Sequence, residues 1–270
     1  MPPGPHVNET EIRVIGMSRS GNHAIVNWIL AQAPGRTCFL NCAEPGWSPF
    51  VSARPRTPEL PGWRALYEGF EIDAEGDGRL SRKDLLIHSY EDTFLGPFKK
   101  PENEGRHDEW VGTSRRRVDL LILRDPRNLF ASRLASGYGW LEDELVARVW
   151  SQHAREFLGR RRNLRQERLM VSYNEWVTSV EYRREVAAAL GLEFDDRGAH
   201  KVPAAAGGSS FDGTAYDGRA EEMPVLRRWH RFVGDERFHR MLTPEVLELS
   251  DRIFGPPVAL SEPERRRIAA

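Results

Sequence analysis

The sequence has little of what marks exported, stapled or membrane-embedded chains. Its 270 residues include two cysteines, Cys38 and Cys42. Two thiols cannot build a disulfide framework, and a zinc site would need two further ligands close by, so both are expected to be small core residues in a reducing compartment. Long hydrophobic runs are absent. The longest, Ala24 to Ala33, is broken by Asn27 and Gln32 and falls short of the ~20 residues of a membrane span. Met1 to Thr10 is polar and proline-rich, without a cleavage pattern, which makes a cytoplasmic location the expectation. There is no excess of one charge either. A net charge of −1 gives no field that would draw in nucleic acid or an anionic membrane, so no nucleic-acid partner is expected. Lysine is scarce, appearing only at Lys83, Lys99, Lys100 and Lys201. A site that usually uses lysine can therefore be expected to use arginine here.

What is present reads as one α/β domain. The chain can bury a core without staples, and its 40% hydrophobic and 29% charged residues are ordinary for a globular protein. The core is expected over about 12–254, between short polar tails. Ile12–Gly16, Thr37–Cys42, Asp84–Ser89, Val118–Leu123 and Leu169–Tyr173 read as strands. Helices are expected over Asn22–Ala33, Pro126–Ser136, Glu142–Gln166, Val180–Leu190, Pro224–Phe232 and Pro244–Phe254. Asp125-Pro126 supplies an N-cap and N1 proline, while Gly137 and Gly191 act as stops. Residues 43–64 and 203–219 read as irregular. The β/α alternation predicts a parallel sheet covered on both faces, with ligands at the strands' carboxyl ends.

The first strand runs into Met17-Ser18-Arg19-Ser20-Gly21-Asn22-His23-Ala24 and then a helix. Such a loop aims backbone N–H groups at one point beside the positive end of the helix dipole, which makes an anion site. Gly16 and Gly21 stand five apart, as in the Walker A pattern, but Asn22-His23 replaces the lysine and hydroxyl that grip phosphate and magnesium. The loop resembles the 5′-phosphosulfate loop of P-loop sulfotransferases, Lys/Arg-Ser-Gly-Thr-Thr. By that resemblance Arg19 contacts the bridging oxygen, and Ser20 to Ala24 hold the phosphosulfate.

A second motif keeps the family's order. Arg124 ends a strand and Ser132 follows eight residues on, in the next helix, matching the family's 3′-phosphate pair. A guanidinium forks onto phosphate and a hydroxyl donates beside it. Tyr173 resembles the tyrosine that reaches the adenine. Ser209-Ser210-Phe211 resembles the segment whose aromatic packs on the base, and Arg227-Arg228 the later arginine near the 3′-phosphate. The resemblance implies a P-loop-type sheet flanked by helices on both faces. It also implies 3′-phosphoadenosine 5′-phosphosulfate (PAPS) as sulfonate donor, adenosine 3′,5′-bisphosphate (PAP) as product, and no metal requirement.

Transfer to a hydroxyl needs a base near the sulfonate. In the family it comes from the strand between the two motifs, here Leu85-Leu86-Ile87-His88-Ser89-Tyr90-Glu91-Asp92. Glu91 ranks first, ahead of His88 and His23. A carboxylate base is typical of the carbohydrate-modifying branches, so a glycan or glycosylated metabolite is the first acceptor expectation, with a phenolic or lipid hydroxyl next. Trp47, Phe50, Trp63, Tyr67, Phe70, Tyr138 and Trp140 could line an acceptor pocket or serve as core. Asp73 to Asp84 has the oxygen spacing of an EF-hand loop, but an acidic glycine turn before a strand accounts for it better. A P-loop kinase, or a module that binds the bisphosphate without catalysis, remain the rival readings.

Overall fold

The computed structural model describes residues 6–53, 69–137, 141–202, 204 and 207–261. Five strands form one sheet: β1 (Asn8–Gly16), β2 (Thr37–Leu40), β3 (Lys83–Glu91), β4 (Ser114–Leu123) and β5 (Glu167–Ser172). All pairings are parallel, in the order β2-β3-β1-β4-β5. The helices are α1 (Asn22–Gln32), α2 (Pro49–Ser52), α3 (Ile72–Gly76), α4 (Gly96–Lys99), α5 (Pro101–Val111), α6 (Pro126–Ser136), α7 (Asp143–Phe157), α8 (Tyr173–Thr178), α9 (Val180–Leu190), α10 (Glu236–Met241) and α11 (Pro244–Phe254). None is long and apolar enough to cross a membrane.

Strand alternation sends side chains to two buried faces. Ile12, Val14, Ile87, Leu120 and Ile122 pack against Ile25 and Trp28 of α1, Trp176 of α8 and Val186 of α9. Ile15, Tyr90 and Leu121 meet Leu95, Phe98 and Leu164, and Leu123 meets Phe130, Trp150 and Leu249 from α6, α7 and α11. The sheet is thus covered by helices on both sides, as expected.

The second face also buries charge. Glu11 accepts from His88 Nε2 (3.0 Å), His107 Nε2 (2.5 Å), Ser114 Oγ (2.5 Å) and Arg117 Nε (2.7 Å). Arg13 pairs with Asp119 and with Glu104 of α5, each at 2.5 Å. These pairs explain why β1 and β4 begin at Asn8 and Ser114, earlier than apolar patterning predicts: their polar ends find partners inside the fold. They also hold down α5, a polar helix that patterning alone misses.

Other departures have local causes. Helix α7 stops at Phe157 and not at Gln166, because the Glu156 carboxylate accepts from the backbone N–H of Asn163 and Leu164 and turns the chain back through Gly159, at φ 70°. Strand β5 ends at Ser172, whose side chain caps α8 through Glu175 N–H. The 224–232 segment forms a short 3₁₀ turn over Arg228–Phe232. The acidic stretch at 73–84 begins as helix α3, and its Glu75 is spent on a buried pair with Lys83 Nζ at 2.6 Å. An EF-hand loop would need that carboxylate for its ion. Phe50 and Phe70 are core residues stacked about the same lysine, not pocket walls. Trp47 is exposed, and Trp63, Tyr67, Tyr138 and Trp140 lie outside the described residues. Cys38 is buried and neither cysteine forms a disulfide.

Candidate functional site

Strand order places a crevice where connections diverge. The chain leaves β1 toward the β2 edge and leaves β4 toward the β5 edge, so the carboxyl ends of these neighbours flank the topological switch point. A cleft of about 310 Å³ opens there.

The loop after β1 forms its floor. Gly21 sits at φ 90° and caps α1 without a side-chain acceptor, and the first turn of α1 carries no acidic residue. The open N–H groups and dipole end of an 11-residue helix therefore face the cleft. Gly21 has a second reason to be glycine, since a Cβ there would lie 2.1 Å from the Tyr173 ring. Arg19, at φ 74°, occupies the left-handed region that costs a side-chain-bearing residue strain, and its Nη1 donates to Gly208 O at 3.3 Å. Below, Asp92 accepts from Ser18 N–H at 3.0 Å and from Arg133 Nη1 at 2.7 Å, fixing the loop from beneath.

The wall after β4 is cationic. Arg124 is buried, and its guanidinium donates to three neutral oxygens: Arg19 O (2.8 Å), Val225 O (3.0 Å) and Ser132 Oγ (3.2 Å). Its Nε is buried without a partner, and among the described residues no carboxylate pairs with it. Burial pushes this guanidinium below its usual range, against the pull of Tyr173 and Asp125 and with the push of Arg19. Arg228, hydrogen-bonded to Ser209 Oγ and Asp212, is lowered to about 10 by burial and by Arg124. An anion in the cleft would relieve both.

Tyr173 stacks on Trp176 at 6.1 Å and lies under the Arg124 guanidinium, giving the cleft a flat apolar side with Val177 and Met223. On the opposite side stand His23 and Glu91. Glu91 Oε1 accepts from Asn22 Nδ2 at 2.9 Å, and Asn22 also donates to Met17 O. His23 Nε2 meets Asn41 Oδ1 at 3.1 Å.

Of the residues singled out from sequence, Arg19, Gly21, Asn22, His23, Ala24, Glu91, Arg124, Tyr173, Ser209 and Ser210 line the cleft. Ser20 and Ser132 are buried behind it. Three stand elsewhere. His88 is wholly buried against Glu11, with burial lowering its pKa to about 4, because strand alternation points it to the second face, away from the cleft. Phe211 packs on Phe232 under Arg228 and Arg231. Arg227 is exposed, and its neighbour Arg228 takes the cleft position. Sequence reasoning missed Asp92, Arg133 and Asn41. Only Asp92, at φ 54° and of a type that tolerates that region, carried any local signal.

No protein-family model matches the chain, and no curated protein matches it. Among solved structures, the chain is similar to a mouse sulfotransferase complexed with PAP (12% identity, TM-score 0.44, covering 96% of this chain and 88% of that one). It is also similar to the sulfotransferase domain of a Synechococcus olefin synthase (14% identity, TM-score 0.38, covering 100% and 96%). A third is the sulfotransferase domain of the curacin biosynthetic pathway (15% identity, TM-score 0.38, covering 96% and 95%).

Proposed function

We propose that this protein transfers the sulfonate group of PAPS to an acceptor hydroxyl. The observation that carries the reading is the joined pair of loops at the switch point. A buried guanidinium whose hydrogen-bond partners among the described residues are neutral, an open helix N-terminus and a φ-positive Gly21 converge on one cleft. A buried, unpaired cation is costly unless a ligand completes it. A donor with two anionic groups does so at two points, the 5′-phosphosulfate at the 17–24 loop and the 3′-phosphate at Arg124 and Ser132. The flat side at Tyr173 and Trp176 suits a purine face.

The residues do the rest by position and charge. Arg19 and the loop N–H groups steady negative charge as the sulfur changes partners, as in related in-line transfers. A P-loop kinase would need a lysine and a magnesium-holding hydroxyl where Asn22-His23 stand. Glycans, glycosylated metabolites and phenolic or lipid hydroxyls are the acceptor classes to test. PAP without metal should raise the melting temperature, with roughly 2.7 kcal/mol of stabilisation at 100 times Kd, and radiolabelled sulfonate should pass from PAPS to a member of an acceptor panel. Stabilisation by ATP and magnesium alone would support the kinase. Binding of PAP without transfer to any acceptor class would leave a binding module.

A further inference from the structure

The geometry points to His23 as the catalytic base of that transfer, with Asn41 as the positioning residue that sets its tautomer; the inference rests on the proposed transfer. Asn41 follows β2, one step beyond the register pair Leu40–His88, so it stands beside Ser89 of β3. The hydrogen bonds there run in one direction. Ser89 Oγ accepts from Cys42 N–H at 2.9 Å and donates to Asn41 Oδ1 at 3.0 Å. In this arrangement Asn41 presents its oxygen to the serine. The same oxygen takes the bond from His23 Nε2 at 3.1 Å, which makes that nitrogen the N–H and leaves Nδ1 as the ring's basic atom. The Phe39 ring, edge-on at 6.4 Å, completes the seat of an imidazole that lines the cleft.

Two further observations favour this assignment over the sequence ranking. Asn41 is buried, and its oxygen joins Ser89 of the sheet to His23 of the cleft, so the ring is seated by a fixed part of the core. Glu91 holds Asn22, and through it the phosphate loop, which gives its carboxylate a positioning task. An imidazole is also the side chain best matched to proton transfer near neutrality. In the step, the acceptor oxygen forms its bond to sulfur while its proton passes to His23 Nδ1. The sulfur–oxygen bond to the 5′-phosphate breaks, its electron pair staying on the phosphate oxygen of PAP. The imidazolium then returns its proton to solvent.

Four measurements separate this inference from the reading beneath it. Wild-type transfer from radiolabelled PAPS judges the reading itself. His23→Gln should lose kcat by roughly 10²–10⁴-fold, a far larger factor than any loss of PAP affinity. Asn41→Asp places a carboxylate behind the ring and favours the imidazolium, so the acid limb of the kcat/KM profile should move to higher pH, which loss of a merely structural contact would not do. The ring ¹⁵N resonances of His23, in protein saturated with PAP, should show the Nε2–H tautomer and lose that preference in Asn41→Ala. Near-normal turnover in His23→Gln, an unmoved acid limb in folded Asn41→Asp, or an Nδ1–H tautomer in the wild type would each overturn the assignment. A wild type that moves no sulfonate would sink the transfer reading, and the tautomer would still decide whether Asn41 sets the ring.

Discussion

The guanidinium of Arg124 donates to the carbonyl oxygen of Arg19 at 2.8 Å, across 105 positions of sequence. Through that bond the loop after β1 and the turn after β4 become one wall of the cleft. The contact also spends one Arg124 nitrogen on a neutral group and leaves Nε without a partner. Its charge is therefore available to a ligand, and the loop it holds is the one that offers the helix N-terminus.

Arg124→Ala should weaken PAP more than adenosine 5′-phosphosulfate, which lacks the 3′-phosphate. The differential loss should be about 1.5–3 kcal/mol for a charge-assisted contact, read by calorimetry with both ligands. Equal losses would mean that Arg124 acts through the Arg19 loop and not on the 3′-phosphate.

Gly21→Ala meets two obstacles at once. The backbone is at φ 90°, and the new Cβ would sit 2.1 Å from a Tyr173 ring held by Trp176 and Arg124. Strain and overpacking together should cost roughly 2–4 kcal/mol in urea unfolding, and PAP affinity should fall with it. An unchanged midpoint would mean that the ring moves aside freely.

Acid should destabilise the fold well above the carboxylate range. Burial lowers His88 and His153 from 6.5 to about 4. Below pH 6.5 the unfolded chain takes up protons that the native state refuses. Stability is thus full above about 6.5 and falls between about 6.5 and 4, by up to ~1.4 kcal/mol per pH unit for each histidine. Glu11 is pushed up by burial but held well below its usual range by His107 and His88, so its share is lost at still lower pH. His153→Gln, followed by urea titrations between pH 7 and 5, should reduce the slope by an amount that approaches about one proton at the acid end. A slope identical to wild type would show that His153 does not titrate on unfolding.

Much of this site was readable because its chemistry is local. Gly21 before a helix, and Arg124 followed by Asp125-Pro126, are marks of strand-to-helix junctions that hold wherever the rest of the chain goes. The misses are those that depend on which face a strand presents and what crosses it. His88 read as a candidate base until register turned it toward Glu11, a residue 77 positions away. Asn41 had no mark in its neighbourhood, because its meaning lies in Ser89 and His23. Helix α5 escaped notice because ion pairs to β1 hold it, and not an apolar stripe.

The loop floor gives the last test. Asp92 and Arg133 are both 4% exposed and pair at 2.7 Å, and Asp92 also accepts from Ser18 N–H. Asp92→Ala removes a left-handed-tolerant residue and strands a buried guanidinium, so it should cost about 3–5 kcal/mol. Asp92→Asn keeps the backbone preference and one acceptor for Ser18, so it should cost less. Arg133→Met in the Asp92→Ala background removes the stranded charge and should recover part of the loss, giving a coupling of at least ~1 kcal/mol in the double-mutant cycle. PAP affinity should fall with loss of either residue, because Asp92 accepts from Ser18 N–H and Arg133 donates to Ser18 O at 3.2 Å. Additive losses in urea, or PAP binding unaffected by Asp92→Ala in folded protein, would show that Ser18 is held by other means.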